Sequence, residues 1–336
     1  MDTTTERIER DGRAKRAIRA VGSAVRAPAL SIAGACLGAL GAYRVYHPRT
    51  TPGGRTPENK RLPLRHMSIT TSRDKLSLKA WVVPGEGPHT VVVCHGMSRT
   101  RSSTIGHIEV LHRAGYHVVA YDMRNHGESG RRRTLTRIAD RHTSDLRDVV
   151  RGVRGDGELG RGHIAVLGFS FSTWPSLYLL RDRDAGISAV MCDSGPMKDI
   201  AGGFRSFAEL ARRTLPRSLR QGAGFRTYRR AFAFVGMRML AVGDWPPRLD
   251  GVTTRLLFVS GAKDDVVASE QVAGVARRYP SAEYWEAPNA MHMSGIRFDK
   301  DEYRDRMLRF LKDAFHEAPR RGDGASQPGK GVLAHD

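Results

Sequence analysis

The sequence predicts an α/β protein: a mainly parallel central sheet flanked by helices, with a long segment inserted into it. Three observations carry this. Strand-length apolar runs alternate with helix-length segments between residues 66 and 316, the pattern of βαβ units wound around a parallel sheet. Several runs, such as Thr90–Cys94, are apolar throughout, as strands buried on both faces are. Residues 196–250 then interrupt the alternation with a stretch too long for a simple connection.

The elements follow in order. Residues 66–71 and 76–83 alternate in hydropathy and predict an antiparallel pair turned at Arg73-Asp74. Residues 90–94 predict a buried strand ended by His95-Gly96, and 99–114 a helix stopped by Gly115. The strand at 117–121 leads into a polar loop at 122–131, then a helix at 140–154 and a strand at 163–167. Residues 171–180 predict a helix in which Pro175 is tolerated only near the first turn. Strands at 187–192, 255–259 and 283–285 and helices at 268–278 and 301–316 complete the domain.

A chain of 336 residues holds one large domain with appendages. Its 55 basic and 35 acidic residues give a formal charge of +20, which suits anionic partners. The basic residues are scattered, however, and a solvated arginine-rich surface explains most of them. Cys36, Cys94 and Cys192 are odd in number and far apart, so no disulfide framework is implied. No Cys/His spacing suggests a zinc site.

The N-terminus differs in character. Residues 1–26 are polar and basic, and residues 27–43 then run without a charge before Arg44 and Arg49. Such a stretch sits at the lower edge of membrane-spanning length. Residues 1–46 are therefore read as a basic N-terminus with a candidate membrane anchor, the domain that follows lying outside the cytoplasm by the positive-inside bias. A cleaved signal peptide and a peripheral or soluble helix are the other two readings. Residues 47–65, rich in Pro and Gly, read as a linker into a domain at 66–316, and residues 317–336 as a disordered tail.

Ser170 lies in Gly168-Phe169-Ser170-Phe171-Ser172, Asp264 in Gly261-Ala262-Lys263-Asp264, and His292 in Asn289-Ala290-Met291-His292, each just past an apolar run. Ligands of such sheets bind beyond the carboxyl ends of the strands, so all three fall at one rim. A serine hydroxyl needs a base beside it to attack a carbonyl, and the imidazole needs a carboxylate to fix its tautomer. Ser170 reads as nucleophile, His292 as base and Asp264 as acid. Asp265, next in the chain, and Asp193, one strand earlier, are rival acids. The bland alternatives are an N-cap for Ser170 and a loop-capping carboxylate for Asp264. Charge on a tetrahedral oxygen needs preorganised donors; the backbone N–H groups of Phe171 and Met97 are the candidates, with His95 bracing the second loop.

Taken together, His95-Gly96-Met97, residues 122–129, Gly168 to Ser172, Gly261 to Asp264 and His292 resemble the α/β-hydrolase superfamily. The resemblance covers residues 66–316. It implies a serine hydrolase acting on a small-molecule acyl substrate, with no metal and no diffusible cofactor. Esterase, lipase, thioesterase, peptidase and acyltransferase chemistry all fall within it. Two positions depart from the family pattern: Ser172 and Asn125 stand where glycine is usual. In this family an insertion at 196–250 resembles a helical lid. Its aromatic residues are interleaved with arginines, which suits a packed cap, an acyl pocket or an anionic membrane surface. No motif supports nucleic-acid binding, and the oligomeric state is not legible. A non-catalytic protein binding ligand in the same cleft is the rival from another class.

Overall fold

The computed structural model describes residues 27–318. The polar basic stretch 1–26 and most of the expected tail, 319–336, lie outside the described residues. Eight strands form one sheet in the order β1-β2-β4-β3-β5-β6-β7-β8. They are β1 Arg65–Thr70, β2 Ser77–Val83, β3 Thr90–Cys94, β4 His117–Tyr121, β5 Ile164–Phe169, β6 Ile187–Asp193, β7 Arg255–Gly261 and β8 Glu283–Ala287. β1 pairs with β2, and β2 with β4, antiparallel; every other pairing is parallel. β3, β4 and β5 are buried along their whole length, which is why they read as unbroken apolar runs.

The described helices are α1 Ala27–Tyr46, α2 Ile105–Arg113, α3 Ile138–Gly155, α4 Thr173–Leu179, α5 Ile200–Leu210, α6 Gly222–Leu240, α7 Ser269–Ala276, α8 Gly295–Phe298 and α9 Lys300–Glu317. Two apolar cores result, one on each sheet face. One joins the sheet to α2 and α9 through residues such as Ile108, Leu111, Met307 and Phe310. The other joins it to α3, α4 and α7, and runs on without a break into the insertion and α1 through Phe204, Phe232, Ala42 and Tyr46. The 196–250 insertion is thus two packed helices, α5 and α6, whose apolar faces belong to the main core.

The turn after β4 is held by a buried ionic cluster. The fully buried Arg124 guanidinium makes a two-pronged bond to Asp145, both contacts at 2.6 Å, and a third to Asp74 at 2.6 Å. Burial raises the Asp74 carboxyl, but the bonds from Arg141 and Arg124 more than reverse this and hold it at about 2. The segment read as a linker lies along this region. Arg131 donates to the Pro48 and Thr50 carbonyls, and the Gly127 N–H to Thr50 Oγ1.

Candidate active site

Ser170 follows β5 directly, with φ of +51°. A non-glycine residue is rarely held there, and such strain marks a backbone turned to present a side chain. The turn is tight enough that a Cβ on Gly168 would meet Ser176 Oγ at 2.6 Å and the Ser172 carbonyl at 3.0 Å. Ser172, where glycine was expected, is fully buried. Its Oγ accepts the Phe169 N–H at 2.7 Å and lies 2.6 Å from the Cys94 carbonyl, to which it donates. The departure therefore ties the elbow to the end of β3.

His292 stands in the loop between β8 and α8. Its Nε2 is 2.9 Å from Ser170 Oγ, and its Nδ1 is 2.7 Å from Asp264 Oδ2. With Nδ1–H donating to the carboxylate, Nε2 is left to accept the serine proton. Asp264 also does the work of a loop cap: its Oδ1 accepts the N–H groups of Val266 and Val267 at 2.8 and 2.9 Å. The two loops are stitched together where Lys263 N–H donates to the Ala290 carbonyl. Asp265 is exposed. Ser170, Asp264 and His292 are thus brought together, and Asp265 is not.

Asp193, the other rival, is occupied elsewhere. Its Oδ2 accepts the Tyr303 hydroxyl at 2.5 Å and its Oδ1 the Ser194 hydroxyl at 2.8 Å. Burial pushes its carboxyl up to about 6, against the pull of those two bonds and of the nearby His292. Ser194 Oγ in turn accepts the Met293 N–H at 2.7 Å, so this buried group supports the loop that carries His292. Residue order gave no sign of Ser194 or Tyr303 in this part.

Met97 and Phe171 both border the hollow into which Ser170 and His292 open. The turn carrying Met97 passes so close that a Cβ on Gly96 would lie 3.4 Å from Ser170 Cβ. Two buried imidazoles fix it. His95 Nδ1 bonds the Gly96 carbonyl and its Nε2 accepts the Met123 N–H. His126 Nε2 accepts the Ser98 N–H, with its Nδ1 on the Arg124 carbonyl. Burial lowers His95 to about 4 and His126 to about 3, so both stay neutral and keep one acceptor nitrogen each. The expectation that His95 braces this loop agrees with these bonds; His126 as its partner was not foreseen.

The hollow measures about 600 Å³. Beside the polar groups its walls are apolar: Trp174 and Val267 from the body, Phe204, Phe207 and Phe232 from the insertion, and Val45 and Tyr46 from α1. A cavity of this size with a few convergent polar groups is what a small organic ligand requires.

Comparison with known proteins agrees with this architecture. A family model described as the alpha/beta hydrolase fold matches residues 89–241. An uncharacterized protein, YqkD, of Bacillus subtilis is 30% identical over 69 residues, which is 20% of this chain and 22% of its own length. The match thus spans about a fifth of that relative. Among solved structures, an esterase from Pyrococcus furiosus superposes with a TM-score of 0.65 at 24% identity, over 80% of this chain and 97% of its own. The α/β hydrolase GrgF from a Penicillium species gives 0.60 at 15% identity, over 76% and 100%. A thermophilic esterase from Thermogutta terrifontis gives 0.54 at 17% identity, over 75% and 99%. Sheet order, helix placement and family model converge: the chain has the α/β-hydrolase fold.

Proposed function

We propose that the protein is a serine hydrolase that cleaves a carboxylic ester with an apolar acyl group. One observation carries the reading. The hydrogen-bonded series Ser170–His292–Asp264 opens into a mainly apolar hollow of about 600 Å³. In the first half-reaction His292 Nε2 takes the Ser170 proton as Oγ attacks the ester carbonyl. Negative charge gathers on the carbonyl oxygen, where the N–H groups of Met97 and Phe171 are the proposed donors. The imidazolium passes its proton to the departing alcohol, with Asp264 balancing its charge. Water, deprotonated by the same nitrogen, then frees the acid and restores Ser170. The α5–α6 insertion acts as the lid and supplies much of the acyl wall.

The reading also places the protein at a membrane. Helix α1 spans 20 residues and is apolar enough to cross a bilayer. Its outward stripe leaves Ile32 and Leu40 66% and 40% exposed, apolar surface that a bilayer would cover.

The test is labelling of the full chain with a fluorophosphonate, with Ser170→Ala as control. Labelling of the wild type and its loss in the variant supports the assignment, together with hydrolysis of p-nitrophenyl esters. Labelling that survives in Ser170→Ala removes that residue from its role, and absence in both forms favours a ligand-binding protein.

A further inference from the structure

We propose that α1, beyond any part in membrane attachment, is a fixed wall of the acyl pocket, and that Val45 limits the length of acyl chain the enzyme accepts. The inference rests on the ester-hydrolase reading above.

Three observations carry it. First, α1 is docked on the lid backbone to backbone. Gly34 and Gly38 face α6 so closely that a Cβ on either would fall on a carbonyl oxygen, that of Gly224 or of Tyr228. At Gly41 a Cβ would lie 3.2 Å from the Phe232 ring. The contacts advance together along both chains, so the helices run parallel. Thr227 Oγ1 donates to the Ser31 carbonyl at 2.9 Å at one end, and the Tyr46 hydroxyl to the Gly236 carbonyl at 3.1 Å at the other. Glycines that admit such approach replace side-chain packing by long backbone contact.

Second, the far end of α1 is pinned to the body of the enzyme. Asn125 Nδ2 donates to the Tyr46 carbonyl at 3.1 Å, while its Oδ1 accepts the Arg132 N–H at 2.8 Å. This accounts for Asn125 where glycine is usual: it keeps the left-handed backbone, φ +66°, and adds a clamp on the last turn of α1. The buried Tyr46 ring meets Phe171, beside the nucleophile, edge-on at 6.2 Å.

Third, Gly41, Val45 and Tyr46 border the same hollow as Ser170 and His292. A helix joined to the lid on one side and to the Phe171 turn on the other cannot leave without opening that hollow. Side chains of α1 that face it therefore act on the substrate's apolar part, away from the reacting atoms.

The experiment measures kcat/KM of the full chain in detergent for p-nitrophenyl esters from acetate to dodecanoate. Val45→Trp is expected to lower the ratio of long-chain to acetate kcat/KM by roughly tenfold or more, since a pocket discriminates by about that much per methylene it must reject. Val45→Ala should move the preference toward longer chains, which covers the case in which the larger side chain prevents folding. Cys36→Leu, on the exposed side of the same helix, should leave the profile as in the wild type. A chain-length profile that neither Val45 variant shifts overturns the proposal. Fluorophosphonate labelling of the wild type reports separately on Ser170: a labelled enzyme with an unmoved profile defeats the α1 wall alone, and an unlabelled wild type defeats the hydrolase reading itself.

Discussion

Replacing Ser172 by the glycine usual in the family should weaken this protein. The hydroxyl is fully buried and bridges two backbone groups, accepting from Phe169 N–H at 2.7 Å and donating to the Cys94 carbonyl at 2.6 Å. In Ser172→Ala the Phe169 N–H keeps no partner in a sealed place. A buried donor left alone costs about 1–3 kcal/mol. The hydroxyl stands between that N–H and the Cys94 carbonyl, and a carbonyl short of one donor costs less than a bare N–H, so it adds little. Glycine adds the entropy of a freer unfolded chain, about 0.5–1 kcal/mol. The sum is about 2 kcal/mol for alanine and about 3 kcal/mol for glycine. At roughly 2–4 °C of melting temperature per kcal/mol for a domain near this size, alanine should lower the midpoint by roughly 4–8 °C and glycine by somewhat more. Scanning calorimetry of the full chain in detergent gives the answer. A glycine variant that melts with or above the wild type would show that the Ser172 bridge carries no net stability, and with it the account of why this elbow tolerates a serine.

Two further outcomes can be measured. Asp193, raised to about 6 by burial, keeps a proton that an unfolded aspartate sheds near pH 3.9. The folded state then binds more protons through that window, so stability falls as pH rises from about 4 to about 6 and levels beyond. Urea midpoints of wild type and Asp193→Asn should therefore diverge in the variant's favour across that range, and a constant gap would contradict the assignment. In cell fractionation the protein should pellet with membranes, resist salt extraction and release in detergent. Ile32→Glu with Leu40→Glu should shift it to the supernatant, while a wild type that is soluble at low salt defeats the membrane reading.

Much of the sheet was legible because parallel strands buried on both faces leave no polar alternation to blur their limits. The runs at 90–94 and 117–121 coincide with β3 and β4. β5 and β7 extend two residues past their expected ends, to Phe169 and Gly261. The pairing there involves polar and small residues of the site itself, which hydropathy does not count as strand. Ser170 and His292 were legible by position at the rim. Asp264 reads as the acid by its place after β7, with Asp193 as a rival, and loop hydrogen bonding separates the two. The docking of α1 was hidden for a different reason. An apolar helix of 20 residues satisfies a bilayer and a protein groove by the same composition; the turn-by-turn spacing of Gly34, Gly38 and Gly41 was the one sign of a close helical neighbour. The stretch at 47–65 reads as a linker because the side chains that bind its backbone, Arg131 above all, lie far along the chain.

The two acids also explain each other. A carboxylate that balances an imidazolium is of use only while it carries charge, and holding charge away from water requires donors aimed at it. Asp264 meets this with two backbone N–H groups on one oxygen, leaving the other for His292. Those donors belong to the turn that begins α7, so they arrive already oriented. Asp193 has only hydroxyl partners, Tyr303 and Ser194, and full burial. Burial pushes its carboxyl up to about 6, and its hydrogen-bonded path to the His292 loop runs through Ser194 and the Met293 N–H. Exchanging the two roles would place an unwilling carboxyl beside the imidazole and leave the loop after β7 without its cap. In the proposed hydrolase, the geometry of the donors, more than the distance to the histidine, separates the two aspartates as partners for His292.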